Sequence, residues 1–136
     1  MAGSDAGAHL DRMCGGSYPT QFLAECLRGR RFMPIERAIH HFTDRPARLF
    51  GLRDRGRITP GACADLVVFD PATVGSQPAR RVYDLPGGAV RLVARSTGIH
   101  RVFVNGVETV RDGESTGATP GSVLRSGRDT TTVTAR

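Results

Sequence analysis

The period of the hydrophobic pattern changes once along the chain, and that change limits the folds open to it. Up to residue 52 apolar side chains recur at helical spacing. From Gly56 onward they alternate, or run in short blocks between turn residues. Ile35, Ala38, Ile39 and Phe42 stand at i, i+3, i+4 and i+7, the stripe of a helix that turns one face to a core. Pro34 suits the start of that helix, where its missing N–H leaves no bond unmade. An earlier helix is expected from Pro19 to Arg28, with Phe22, Leu23, Cys26 and Leu27 on its apolar side, Ser17 as cap and Gly29 as stop. A third, short helix is expected to open at Asp44 as cap, carry Pro46 in its first turn, and bury Ala47, Leu49, Phe50 and Leu52.

The second half reads as strands. Leu66-Val67-Val68-Phe69 is a wholly apolar strand ended by Asp70-Pro71. Val90, Leu92 and Ala94 alternate with Arg91, Val93 and Arg95. His100 to Val104 and Val107 to Arg111 flank Asn105-Gly106, a hairpin signal because both turn positions take positive φ. Beyond Leu124 there is little to bury, and a frayed end is expected. The fold class is therefore α+β, with residues 1–52 as one unit, 53–126 as another and 127–136 as a disordered tail. Neither unit is self-sufficient. Three amphipathic helices lack a sheet, and a few strands with open edges need a partner or a cover.

A length of 136 residues allows one domain or two small ones and excludes a complete (β/α)8 barrel, which takes about 250 residues. No apolar run approaches the roughly 20 residues of a membrane-spanning helix. Met1-Ala2-Gly3-Ser4-Asp5 has neither the basic nor the apolar region of a secretory signal. Cys14, Cys26 and Cys63 fit neither a disulfide framework nor a CxxC site, and a reducing cytoplasm is the expected home. The 19 basic residues, all Arg, against 13 acidic ones give a net charge of +6. Arg28, Arg30, Arg31, Arg53, Arg55 and Arg57 are the set a nucleic-acid binder would use. However, they lack interleaved aromatics and the chain has no Trp, so solvated faces are preferred and no nucleic acid or membrane is expected as partner.

His40 and His41 are neighbours on a helix, point about 100° apart and cannot chelate one ion together. His100 opens a strand, Cys26 belongs to an apolar stripe and Cys63 to a turn, so no metal ligand is assigned in this chain. The loop Gly3-Ser4-Asp5-Ala6-Gly7-Ala8-His9 sets a carboxylate and an imidazole among small residues that let a substrate or metal come close. A carboxylate there can take a proton from water and return it to a leaving amine. The same residues also suit a plain turn with an Asx cap, and both readings stand.

These stretches resemble a family. Gly3 to Leu10 is similar to the segment that ends the eighth barrel strand of metal-dependent amidohydrolases, in the D-aminoacylase, or N-acyl-D-amino-acid deacylase, branch. Ala38 to Gly51 is similar to the T-x-x-P-A-x-x-x-G stretch of that superfamily, here Thr43, Pro46, Ala47 and Gly51. Gly56 to Asp70 resembles G-x-I-x-x-G-x-x-A-D-L-V-V-F-D, which opens the C-terminal half of its composite β-sandwich. Val102 to Gly106 resembles its V-x-V-N-G hairpin, and Thr116-Gly117, Pro120-Gly121 and Leu124-Arg125 resemble the closing segment of the deacylase branch.

The resemblance covers residues 2–125 and implies a C-terminal fragment: the last strand end and helices of a TIM-type barrel over 1–52, then half of a composite β-sandwich over 53–126. It implies hydrolysis of the C–N bond of N-acyl-D-amino acids by metal-activated water, with Asp5 as general base and then acid. His9 would line the substrate pocket. Zinc is implied for the full-length family. Its usual ligands, an H-x-H pair, a Cys or carboxylated Lys and two further His, have no counterpart in these 136 residues. The chain is accordingly expected to be truncated, split or started within a longer frame, and inactive alone, with a complementary N-terminal chain as the partner this implies. The alternatives carried beside it are a docking module without catalysis and a basic nucleic-acid binder.

Overall fold

The computed structural model describes Ser4 and residues 6–134. Its elements in chain order are α1 (Tyr18–Leu27), α2 (Ile35–Phe42), α3 (Asp44–Leu49), β1 (Leu66–Phe69), β2 (Gly75–Ser76), β3 (Arg80–Val82), β4 (Arg91–Val93), β5 (Ser96–Thr97), β6 (Ile99–Val104), β7 (Val107–Arg111) and β8 (Glu114–Ser115). Helices and strands mix as an α+β chain. Among the described residues no helix is long and apolar enough to cross a membrane.

The chain packs as two units, each built from two separate stretches. One joins Pro34–Phe69 to the chain from Ile99 onward; the other joins the stretch ending at Met33 to Asp70–Gly98. This grouping cuts across a single break at residue 52, because β1 pairs with β6, more than 30 positions later, and not with its sequence neighbours.

The first unit holds α2, α3 and a sheet of order β1-β6-β7-β8, antiparallel throughout. The β6–β7 turn is the expected one: Asn105 has φ 49° and Gly106 φ 79°. Ala38 is fully buried and Ala47 nearly so. Leu49 and Phe50, expected inside, are 53% and 59% exposed. The reason is length: α3 has six residues, and its small Ala47 flank is the one held down. Gly56, at φ 84°, comes so near that a Cβ there would lie 2.7 Å from Ala47 Cβ and 2.9 Å from the Thr43 carbonyl oxygen. In β1, Val67 and Val68 point to opposite faces and are 56% and 48% exposed, while Leu66 and Phe69 at its ends are half-buried. The segment expected as a frayed tail is held at one place. Thr130 bridges to Leu52, and the Thr131 N–H donates to the Gly51 carbonyl at 2.8 Å.

In the second unit α1 packs on β2, β2 pairs with β5, and β3 pairs with β4. Leu23, Cys26 and Val74 are its buried apolar residues, and Phe22 meets Phe32 edge-on at 5.3 Å. The Arg28 guanidinium donates to the carbonyls of Pro71 and Val74, which ties the end of α1 to the turn before β2. Ser17 does not cap α1 with its side chain. The turn over Gly15–Ser17 runs straight into the helix, leaving Ser17 at φ −83°, ψ −5° rather than in the extended geometry a cap requires. The alternating run from Val90 to Arg95 yields a strand only at Arg91–Val93, because its partner β3 has three residues.

Candidate functional site

The two residues singled out for chemistry lie in the N-terminal loop. Asp5 falls outside the described residues. His9 is exposed, sits at φ 48°, and its carbonyl accepts the N–H groups of Arg12 and Met13 at 2.9 Å each. The next residue is anchored: the Leu92 N–H of β4 donates to the Leu10 carbonyl at 2.7 Å. A strand of the second unit thus fixes the end of this loop.

The remaining histidines and cysteines do not converge. His41 hydrogen-bonds Arg45 Nη1 at 3.1 Å; burial, then the charges of Arg45 and Arg37, hold its imidazole below the usual histidine value. His100 Nδ1 lies 3.7 Å from Asp112 Oδ1. Burial, helped by Glu25, pushes the Cys26 thiol up. The Cys63 S–H donates to Asp54 Oδ2 at 3.2 Å, and that bond, with burial, raises it too. Among the described residues no three His, Cys, Asp or Glu side chains group to hold a metal. The described donors do not fit a zinc site.

Two polar clusters went unread in the sequence, both in the first unit. Asp44 is buried, and its carboxylate collects two guanidinium groups and an imidazole. Arg48 Nε stands 2.7 Å and His40 Nε2 3.1 Å from Oδ2, with Arg57 Nε 3.1 Å from Oδ1. Burial opposes the charged form. The hydrogen bonds from Arg48 and His40 and the charges of Arg48 and Arg57 outweigh it and hold the carboxyl below the usual range. His40, Asp44 and Arg48 follow at i, i+4, i+8, a spacing that could have revealed that part; Arg57 comes from the next loop and leaves no local signal.

The second cluster draws three motif segments together. Arg55 donates from Nη1 to Asp65 Oδ2 and from Nη2 to Asn105 Oδ1, the latter at 3.2 Å. The Asn105 N–H donates to Asp65 Oδ1 at 2.8 Å, and Asn105 Nδ2 donates to the Pro120 carbonyl at 2.7 Å. Burial disfavours the charged Arg55, but the Asp65 hydrogen bond and charge prevail and raise its pKa. The Arg55 Nε is buried without a hydrogen bond, 4.0 Å from Asp54 Oδ1. Several arginines of the basic set are thus engaged within the chain: Arg28 on carbonyls, Arg30 on Glu25, Arg53 on the Thr130 carbonyl, Arg55 and Arg57 on carboxylates.

Residues 1–116 match the model of the amidohydrolase family, so this chain belongs to that family. Within it, the chain is similar to an N-acyl-D-aspartate deacylase of Alcaligenes xylosoxydans xylosoxydans, 41% identical over 109 residues, which are 79% of this chain and 20% of that protein. A crystal structure of D-aminoacylase, described as defining a novel subset of amidohydrolases, matches 74% of this chain and 19% of its own at 38% identity and a TM-score of 0.57. The N-acyl-D-glutamate deacylase from Bordetella bronchiseptica, solved with zinc and a phosphonate mimic of the tetrahedral intermediate, matches 71% of this chain and 19% of its own at 39% identity and a TM-score of 0.50. The chain spans about a fifth of the length of the deacylase it matches.

Proposed function

We propose that this chain is the C-terminal part of an amidohydrolase that cleaves the amide of N-acyl-D-amino acids. The similarity to deacylases of D-amino acids over three-quarters of the chain carries the reading. In that reaction water adds to the amide carbonyl carbon, the C–N bond breaks, and the products are a carboxylic acid and a free amine. Asp5 is the proton carrier: its carboxylate accepts a proton from the attacking water and delivers it to the departing nitrogen. His9 lines the substrate pocket. The zinc that the family implies would be held by segments outside this chain.

On this reading residues 1–52 are the end of a barrel, 53–126 half of a composite sandwich and 127–136 its tail, in a cytoplasmic enzyme. Exposed Leu49, Phe50, Val67 and Val68 support a body completed by further chain, within one polypeptide or as a complementary N-terminal chain.

The test is a chimera in which this chain replaces the matching segment of the N-acyl-D-aspartate deacylase. The chimera is expected to hydrolyse N-acyl-D-amino acids, with kcat lowered about 10²–10⁴-fold by Asp5→Asn. The 136-residue chain alone is expected to be inactive. A folded chimera with no activity overturns the reading, and unchanged kcat in the Asp5 variant removes its proton carrier.

A further inference from the structure

The Asp44 cluster has more positive than negative charge. Two guanidinium groups face one carboxylate, which leaves one positive charge over, or two when His40 is protonated. Both arginines reach Asp44 through Nε. Arg48 hydrogen-bonds Asp44 from Nε and Arg57 meets it as an ion pair, and each guanidinium carries four terminal N–H bonds besides. Arg48 and Arg57 are 66% and 58% exposed, whereas the Asp44 side chain is 10% exposed. The anion thus lies beneath and orients the forks, while their outer donors meet solvent. A buried carboxylate that holds two guanidinium groups beside each other lowers the ordering cost of a ligand that bridges them.

We propose that Arg48 and Arg57, oriented by Asp44 and flanked by His40, form a binding site for a phosphate-like oxyanion. Two forked donors suit an anion with several acceptor oxygens, which a single spherical halide does not offer. The charged groups around the site are His40 on α2, Asp44 and Arg48 on α3, and Arg57 on the following loop; His41 and Arg45 bond to each other. Solvent exposure keeps the affinity modest, about millimolar. This site does not depend on the hydrolase reading.

The 136-residue chain is titrated with inorganic phosphate at constant ionic strength, balanced by sodium chloride, and followed by backbone and arginine-Nε NMR shifts. A phosphate monoester in a parallel titration distinguishes free from esterified phosphate by whichever saturates first. Saturable shifts confined to positions 40, 44, 48 and 57 are expected, with binding weakened at least fivefold in Arg48→Gln or Arg57→Gln. Should a variant not fold, the wild-type map decides. Shifts that do not saturate, that spread over all arginines, or that persist unchanged in folded variants overturn the proposal.

Discussion

The backbone N–H of Asn105 donates to Asp65 Oδ1 at 2.8 Å, across 40 positions of sequence. This bond fastens the β6–β7 turn to the residue that precedes β1, and Arg55 closes the cluster by donating to both side chains. Asp65→Ala is expected to lower unfolding free energy by about 1–2 kcal/mol, the value of a charge-assisted hydrogen bond discounted for partial exposure. Asn105→Ala is expected to cost a similar amount, and the double variant less than the sum. Urea unfolding of the four proteins measures the coupling; strict additivity would refute it.

Gly56 is predicted to resist substitution. Its φ of 84° and the 2.7 Å approach of a built Cβ to Ala47 act together. Gly56→Ala is expected to cost about 2–3 kcal/mol. An Ala47→Gly change in the same background should recover part of that loss, because the nearest clash is with the Ala47 methyl.

Acid should unfasten the chain in a defined direction. Asp44, Asp84, Glu108, Asp112 and Asp129 are all held below the ordinary carboxylate range, largely by arginine partners. A depressed folded pKa contributes stability that is complete above the unfolded value, about 4 for Asp and Glu, and is lost as pH falls through the folded one. The urea midpoint is therefore expected to fall steeply only below about pH 4. Asp44→Asn should be less stable than wild type at pH 7 and should converge with it in strong acid. Parallel curves across the range would show that Asp44 is not a source of this stability.

Apolar residues should divide by cover and not by type. Leu23→Ala is expected to cost about 2–4 kcal/mol, since Leu23 is buried against the second unit's core. Phe50→Ser should change stability by no more than about 0.5 kcal/mol in this chain, since Phe50 is 59% exposed. A large loss for Phe50→Ser would mean that it is covered in solution.

The helices, the apolar strand β1 and the β6–β7 hairpin were legible in the sequence, because each rests on a local rule: a period, a proline, an Asn-Gly pair. The two- and three-residue strands β2, β3, β5 and β8 were not, since so short a run has no alternation to read. Ser17 misled because a cap depends on the backbone angles entering the helix, which the preceding turn sets. The motifs marked Gly56, Asp65 and Asn105 as members of a pattern, without saying that Gly56 lies against Ala47 or that Asp65 meets Asn105.

By itself, then, the sequence determined the kind of each longer element and the family to which the chain belongs, because periodicity and motif are properties of neighbours in the chain. Tertiary structure alone decided which residues meet. It brought Arg57 to Asp44 and Arg55 to Asp65 and Asn105, grouped Pro34–Phe69 with the chain from Ile99, and left Leu49 and Phe50 in solvent. Those outcomes depend on distances closed across loops and on which faces find cover, and no local pattern encodes either.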